Sequence, residues 1–343
     1  MGRAGPRDCD PGRPTRPART GPPVRQGARA AAPRRGADGH AAADTARRLR
    51  RPGGTLMRTV VAILLASLGA GGAPLASAQV PLDVMTFNIR TASGRDGDNA
   101  WPHRKDLVVA TIERFAPQVV GLQEALDEQI EYLDGMLPDY RWLGIDRGLN
   151  GGVGLSEATP IFYRYNELSP IESGNFWLTA TPDTPPLRRD GGRRRRGGGR
   201  IVTWARFHHR ATGRQVYVFN THLTLRRGRS QLDSVDLIAT RVAALPAGTA
   251  VIVMGDFNNS AEDSETWRVA TAQGLRDAWV LADEQRGPTA TYGDFGPPEG
   301  TERVDWILVG GGVDVRWVET VLYNDDGRYP SDHYPVAAGL ELQ

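Results

Sequence analysis

The sequence predicts a layered domain of the α/β or α+β class, which combines strands and helices over residues 79–343. Three observations support this prediction. Short runs rich in Val, Ile, Phe, Tyr and Trp recur throughout this part of the chain. Stretches with apolar residues at helical spacing separate several of these runs. No convincing linker and no internal repeat interrupt the pattern, so we expect one domain.

Eight segments have the composition and length of β-strands, because aromatic and β-branched residues suit a pleated, half-buried surface. They are spread along the whole domain rather than grouped at one end. In chain order they are 82–89, 118–123, 160–165, 201–208, 215–221, 250–255, 304–309 and 334–340.

Three stretches between these segments carry apolar residues three or four positions apart, as on one face of a helix. We interpret these faces as ordinary core-facing surfaces and assign no site to them. The residues are Val108, Ile112 and Phe115 in the first stretch, Leu126, Ile130, Leu133 and Leu137 in the second, and Leu232, Val235, Ile238, Val242 and Leu245 in the third.

Residues 1–56 differ from the rest of the chain in composition. They contain 13 Arg, no Lys and four Asp, a net charge of +9, and almost no large apolar residues. Such a segment cannot bury enough apolar surface to offset its ordering entropy. It is either a disordered arm that binds nucleic acid or a stretch upstream of the natural start, and we favour the second interpretation.

An export signal is predicted at 57–78. Met57 and one Arg precede the apolar stretch 59–70, and the Ala-Ser-Ala sequence at 76–78 supplies the small residues of a cleavage site. The apolar stretch is shorter than the roughly 20 residues that a membrane-spanning helix needs. We therefore expect translation from Met57, export to the periplasm or the medium, and no stable membrane insertion. Sequencing the N-terminus of the exported protein tests this, and a start near residue 3 would contradict it.

The remaining chain, without residues 1–78, has 28 basic and 36 acidic residues, and it loses Cys9, the only cysteine. Its net charge of −8 disfavours tight nonspecific binding of long nucleic acid. Without cysteine it forms no disulfide and depends on its core for stability. The Arg/Gly-rich stretch 188–200 is either a phosphate or headgroup contact or a solvated surface loop, and we favour the loop.

Polar residues at the ends of apolar strands are the informative feature, because side chains there can converge on one cleft. Asn88 lies at the end of the first strand, Glu124 directly follows the second, and His222 follows the fifth. A carboxylate there is costly unless it is paired or binds metal, and oxygen ligands suit Mg²⁺, Mn²⁺ or Ca²⁺. Taken singly, Asn88 is better explained by a local turn and His222 by a satisfied core histidine.

The last three strands show the same feature. Asp256 and Asn258 follow a buried strand at i, i+2 spacing, which places both side chains on one side; an Asx turn is the alternative. Asp305 begins a hydrophobic strand, and Asp332 and His333 lead into the final one. A histidine paired with a distant aspartate has a fixed tautomer and a raised basicity. No zinc spacing, Walker loop, dinucleotide-binding glycine pattern or nucleophile elbow is present.

The motifs TFN, QE, NTHL, GDFN, VDWI and SDH, in this order over 82–342, resemble the endonuclease/exonuclease/phosphatase superfamily. That superfamily includes pancreatic deoxyribonuclease, exonuclease III-type enzymes, deadenylases, inositol polyphosphate 5-phosphatases and bacterial sphingomyelinases. Stretches 101–104, 160–164, 200–207 and 329–336 are similar to its exported bacterial members. The chain departs from those members in the Arg/Gly-rich stretch and in the TLRRGRS segment after His222, which weakens inference of the substrate by analogy.

The resemblance implies a four-layer α/β sandwich of two packed mixed sheets flanked by helices, as in deoxyribonuclease I, with the site at one edge. It also implies a role for each polar residue at a strand end. Glu124 would bind the divalent metal, with Asn88 close by, and Asp332 would join the metal site or brace His333. Asp256 would orient or deprotonate the attacking water, and Asn258 and His222 would hold phosphate oxygens. His333, aligned by Asp305, would act as acid or base or stabilise the transition state.

The implied function is hydrolysis of a phosphodiester or phosphomonoester with Mg²⁺, or Mn²⁺ or Ca²⁺, as cofactor. Nuclease action, as an endonuclease or a 3'–5' exonuclease, and sugar or inositol phosphatase action are the open alternatives, and lipid phosphodiesterase action ranks third. A non-catalytic binding protein on the same fold is disfavoured because the whole set of site residues is present. Arg226 and Arg227 either contact the substrate or begin a solvated helix. We expect a monomer that acts on a phosphate ester, with nucleic acid as one candidate.

Overall fold

A computed structural model describes residues 80–148, 156–186 and 199–343. Residues 1–56, the predicted export signal at 57–78 and most of the Arg/Gly-rich stretch at 188–200 lie outside these ranges. The sequence interpretations of those three segments therefore stay predictions.

The described ranges form thirteen strands and five α-helices. The strands are β1 Val80–Asn88, β2 Val119–Gln123, β3 Tyr140–Leu143, β4 Ile161–Arg164, β5 Leu168–Trp177, β6 Ile201–His209, β7 Gln215–His222, β8 Val251–Asp256, β9 Arg276–Asp277, β10 Glu284–Arg286, β11 Asp305–Gly310, β12 Val313–Thr320 and β13 Val336–Leu342. The helices are α1 Trp101–Phe115, α2 Asp127–Met136, α3 Arg229–Ala243, α4 Glu265–Thr271 and α5 Ala278–Leu281. Within these ranges no helix combines the length and apolar character needed to cross a membrane.

The strands form two mixed sheets. The first has the order β10-β12-β13-β1-β2-β4-β3, and the second has the order β5-β6-β7-β8-β11-β9. Each sheet contains a parallel pair joined by a helical crossover, β1 with β2 through α1 and β7 with β8 through α3. Carboxyl ends of parallel strands lie at the same edge of a sheet, so each pair delivers two strand ends to that edge.

Three apolar clusters hold four layers together. The cluster between the sheets joins side chains such as Val84 of β1 and Ile252 of β8. A second cluster packs Val108 and Ile112 of α1, with residues of α2, on the outer face of the first sheet. A third packs Val235 and other residues of α3 and α4 on the outer face of the second. The order helices, sheet, sheet, helices confirms the predicted four-layer sandwich.

A glycine allows β7 and β8 to approach closely where they end. Gly255 has a φ of +153°, and a Cβ built on it would lie 2.1 Å from the carbonyl oxygen of Thr221. Any other residue here would push the strands apart. The register that results places His222 opposite Asp256.

Candidate active site

The candidate active site lies at the edge where the carboxyl ends of β1, β2, β7 and β8 meet the amino ends of β11 and β13. Asn88 ends β1, His222 ends β7 and Asp256 ends β8. Asp305 begins β11 opposite Asp256, and His333 lies just before β13. Strands far apart in sequence thus bring the predicted site residues to one edge of the sandwich.

Asp256 lies at the centre of this group and is fully buried. Its Oδ2 accepts a hydrogen bond from Nδ2 of Asn88 at 2.9 Å, which links the two sheets across the site. The same oxygen lies 3.4 Å from Nε2 of His222 and 3.9 Å from Nε2 of His333. Its Oδ1 accepts from the backbone N–H of Asn258 at 2.8 Å.

The environment of Asp256 raises the pKa of its carboxyl group to about 7. Burial is the main cause, and the nearby Asp305 carboxylate adds to it; His333 and the hydrogen bonds from Asn258 and Asn88 oppose the rise in this pKa. A carboxylate that takes up a proton near neutral pH is suited to act as a general base.

His333 pairs with Asp305. Its Nδ1 lies 2.9 Å from Oδ2 of Asp305, so the other ring nitrogen, Nε2, faces Asp256. Burial lowers the pKa of the imidazole, but the carboxylates of Asp305 and Asp256 outweigh it and raise that pKa to about 10. His333 is therefore a cationic hydrogen-bond donor at neutral pH.

His222 differs from His333 in its charge. Burial, assisted by the cations of Arg200 and Arg147 and by His333, holds its pKa well below the usual value, so its imidazole is neutral at neutral pH. Asn258 lies beside it with a positive φ of 50°, and its Nδ2 donates to the carbonyl of Leu223 at 3.0 Å. An amide nitrogen has two hydrogens, so one donor of Asn258 stays available to a phosphate oxygen.

Glu124 and Asp332 form an acidic side of the site. Glu124 adopts a left-handed backbone with φ of 61°, and its carboxylate accepts from the backbone N–H of Thr91 at 3.0 Å and from Asn88 at 3.4 Å. Burial raises the pKa of the Asp332 carboxyl and the nearby Glu124 adds to the rise, while His333 and Arg90, the latter 3.7 Å away, lower this pKa. A left-handed backbone at a non-glycine residue stores strain and recurs at functional sites.

Comparison with known proteins identifies the family. The sequence profile of the Endonuclease/Exonuclease/phosphatase family matches residues 85–333, which include every residue placed at the site above. The chain belongs to this family. The match confirms the resemblance seen in the motifs.

Solved structures of the same family have the same fold. A family protein from Bacteroides vulgatus is 31% identical, with a TM-score of 0.69 over 77% of this chain and 100% of the other. A mannosyl-6-phosphatase from Bacteroides thetaiotaomicron is 26% identical, with a TM-score of 0.67 over 76% of this chain and 99% of the other. Both matches extend over essentially the whole of the other protein.

Curated relatives match in part only. A sphingomyelinase of Mycobacterium tuberculosis is 32% identical over 141 residues, which are 37% of this chain and 28% of that protein. A mimivirus protein is 27% identical over 170 residues, 46% of this chain and 59% of its own length. The chain thus spans less than two thirds of the length of both curated relatives.

The residues of this family member fit a divalent cation in two places. Among the described residues, ligand atoms of Asp256, Asp305 and His333 lie within 4.8 Å of one another. In this cluster Asp305 keeps a buried Oδ1 without a hydrogen-bond partner in the described part of the chain. However, the cationic His333 already offsets the negative charge of the Asp256 and Asp305 carboxylates. Glu124 and Asp332 repel each other, and His333 and Arg90 only partly offset the raised pKa of Asp332, so the predicted set with Asn88 offers the oxygen ligands a hard cation requires.

The two predicted substrate contacts follow His222 closely in the sequence. Arg226 and Arg227 are exposed on the segment between β7 and α3. Arg227 forms an ion pair with Glu302 at 3.2 Å, and both side chains are more than half exposed. Their contact with a substrate stays a prediction.

Arg104 is a buried positioning residue that the sequence analysis quoted in a motif but gave no role. It is 1% exposed, and its guanidinium donates to the backbone carbonyls of Ile89 at 2.6 Å and Pro330 at 2.9 Å. It also donates to the carbonyls of Arg90 at 2.7 Å and Asn99 at 2.8 Å. One side chain thus holds together the segments that follow Asn88 and precede Asp332.

We expect Arg104→Met to lower the free energy of unfolding by about 3–5 kcal/mol, because several buried carbonyls lose their donors at once. Denaturant unfolding measures this change. Arg114→Met, on the exposed face of the same helix, is the matched control and should change stability by less than about 0.5 kcal/mol. Equal effects of the two substitutions would contradict the assignment.

Proposed function

We propose that the chain is a divalent-metal-dependent phosphoesterase that hydrolyses its substrate with an activated water. The arrangement of Asp256 between a neutral His222 and a cationic His333 carries this proposal. It combines a proton acceptor, a proton donor and neutral hydrogen-bonding groups within one buried cluster. Phosphoryl transfer needs positioning and charge neutralisation of this kind.

Asp256 would accept a proton from the attacking water. Asn88 and the backbone of Asn258 hold its two oxygens in place, so the carboxylate cannot rotate away from the reacting centre. With its pKa near 7, it is ionised at mildly alkaline pH and still basic enough to take up the proton.

His333 would act on the opposite side of the reaction. Asp305 fixes its ring so that Nε2–H points into the site, where it can donate to a phosphate oxygen or to the leaving oxygen. His222 and the free hydrogen of Asn258 would hold further phosphate oxygens. These groups are in place before the substrate binds, so little reorganisation is needed.

A cation bound by Glu124 and Asp332, with Asn88 beside them, would supply positive charge to the phosphate oxygens. We expect Glu124→Gln to raise the Mg²⁺ or Mn²⁺ concentration for half-maximal activity by about 10–100-fold, and EDTA to abolish wild-type activity. Mn²⁺ titration by calorimetry checks the binding directly. Glu128→Gln, an exposed glutamate on α2, is the control. Unchanged metal dependence in Glu124→Gln would contradict this ligand role.

The substrate is tested by parallel assays of the purified protein with Mg²⁺ or Mn²⁺, with and without EDTA. Suitable substrates are p-nitrophenyl phosphate, bis-p-nitrophenyl phosphate, single- and double-stranded DNA, RNA, mannose 6-phosphate, inositol phosphates and sphingomyelin. Metal-dependent cleavage of any of them supports the proposal, and the preferred substrate gives the class. Folded protein that binds metal but cleaves none of them would favour a binding protein. Export to the periplasm or medium is a further proposal that rests on the sequence alone.

A further inference from the structure

A small pocket adjoins His222. Its walls are contributed by Arg147, Glu157 and Arg200, together with the start of β6 and the segment before β4. The space between these walls accommodates about one water-sized group, so it suits a single oxygen of a substrate rather than a base or a nucleoside.

The pocket carries an excess of positive charge. Glu157 forms an ion pair with Arg147 at 2.9 Å, and its same oxygen lies 3.9 Å from Arg200. One carboxylate therefore faces two guanidinium groups, and His222 adds no negative charge. These three side chains leave one positive charge unbalanced, so one added negative charge would balance the pocket.

Donor groups in the pocket are left without acceptors. Nε of Arg147 and Nη1 of Arg200 are buried and have no hydrogen-bond partner among the described residues. The 3.9 Å separation between Arg200 and Glu157 is too long for a hydrogen bond. Buried guanidinium donors are normally satisfied, so within the described part of the chain these two atoms stay open to an acceptor such as a phosphate oxygen.

The backbone fixes this pocket beside the reacting centre. The N–H of Arg147 donates to the carbonyl of Glu157 at 3.1 Å, and Ala158 bridges to Ala125, the residue after Glu124. Arg200 is held from the other side by its carbonyl, which accepts from Leu178 at 2.7 Å. The lowered pKa of His222, caused in part by Arg200 and Arg147, agrees with this proximity.

We propose that Arg147 and Arg200 select substrates that carry more negative charge than the single charge of a phosphodiester, by binding a phosphate oxygen group in this pocket. The proposal rests on the phosphoesterase function and names its substrate class. The extra charge is either the second charge of the reacting phosphomonoester or a neighbouring phosphate of the same substrate. Both present pairs of phosphate oxygens that a guanidinium fork can bind.

Kinetics of Arg200→Gln test this proposal. We expect its KM for p-nitrophenyl phosphate to rise about tenfold, and the inhibition constant of inorganic phosphate to rise similarly, because a charge-assisted hydrogen bond is lost. The KM for bis-p-nitrophenyl phosphate should change little. Arg200→Lys, which keeps the charge but not the fork, should lie between the wild type and Arg200→Gln, and Arg147→Gln should repeat the pattern.

Arg164→Gln is the matched control. Arg164 also pairs with a glutamate, at 3.1 Å from Glu167, and its Nε also has no partner in the described part of the chain, but it lies outside the pocket. It should leave both KM values unchanged. A comparison of a sugar bisphosphate with its monophosphate separates the two sources of charge. If the pocket binds a neighbouring phosphate, Arg200→Gln should raise KM for the bisphosphate only. If the pocket binds the reacting phosphate, KM should rise for both substrates.

Equal changes of KM for the monoester and the diester in Arg200→Gln, or an unchanged inhibition constant for phosphate, would overturn the proposal. This failure differs from a failure of the phosphoesterase function, in which the wild-type protein hydrolyses neither ester. In that case calorimetric binding of inorganic phosphate to the wild type and to Arg200→Gln still tests the pocket. Tenfold weaker binding by the variant supports it, and no binding by the wild type contradicts it.

Discussion

Asp256→Asn should lower kcat by about 10²–10⁴-fold on whichever phosphate ester the protein hydrolyses, because an amide cannot take the proton of the attacking water. KM should change far less, since the groups assigned to phosphate binding remain. Steady-state kinetics at saturating Mg²⁺ or Mn²⁺ measures both quantities. Of all single substitutions, this one removes the group with contacts to the largest number of site residues.

The control for Asp256→Asn has to separate lost chemistry from lost structure. Asp236→Asn, on the solvent side of α3, provides a carboxylate-to-amide change with no contact to the site and should keep full activity. The thermal midpoint of Asp256→Asn should stay in the range that permits folding at the assay temperature. A variant that is folded and retains wild-type kcat would refute the role of Asp256.

The strands were predictable from the sequence where local composition alone determines them. All eight strands expected from the sequence are present, with ends within two residues of those expected, because each is a dense apolar run between polar segments. The other five strands, β3, β5, β9, β10 and β12, were not predicted; β5 mixes Pro170 and Gly174 with polar residues, so its period is hidden. The order of the strands in the sheets is a long-range property and was not predicted; the resemblance implied only the four-layer sandwich of two mixed sheets.

The candidate site was predictable because its residues sit at strand ends. Each of these residues alone was a weak indication of an active site, and only their order along the chain identified them as one set. They are Asn88, Glu124, His222, Asp256 and His333. Their placement at one edge of the sandwich accords with that set. Their individual catalytic roles stay predictions, since position alone does not assign a proton.

What the sequence could not provide is the charge environment. The sequence alone does not show whether His222 or His333 is charged. In the fold His222 is neutral and His333 is cationic, because different groups surround the two imidazoles. Arg147 and Arg200 belong to separate segments and meet only in the folded chain. Such pairs depend on tertiary contacts, for which a single sequence carries no signal.

The pH dependence of activity follows from these environments. Asp256 must be ionised to act as a base, so the rate should fall as the pH drops below about 7. His333 must be protonated to donate, so the rate should fall as the pH rises through about 10. We expect a constant rate between the acidic and the alkaline fall. Because Asp256 and His333 interact, the two apparent pKa values of the profile describe the pair rather than either residue alone.

Asp305→Asn should move the alkaline limb to lower pH by about 1–3 units, because the carboxylate that most strongly raises the pKa of His333 is removed. The sign is fixed by the role of His333: a donor with a lower pKa loses its proton earlier as the pH rises. At pH 9 the rate should therefore fall much more than at pH 7. A kcat profile from pH 6 to 10.5 measures the shift.

His333→Gln separates this interpretation from a purely structural role of the pair. It should lower kcat by about 10²–10⁴-fold and remove the alkaline limb altogether, because no group then titrates as the donor. His209→Gln is the matched control, since His209 is also buried and its Nδ1 lies 2.9 Å from Thr212, away from the site. If Asp305→Asn lowers the rate equally at every pH, Asp305 positions His333 without tuning its proton, and the acid role assigned to the histidine is wrong.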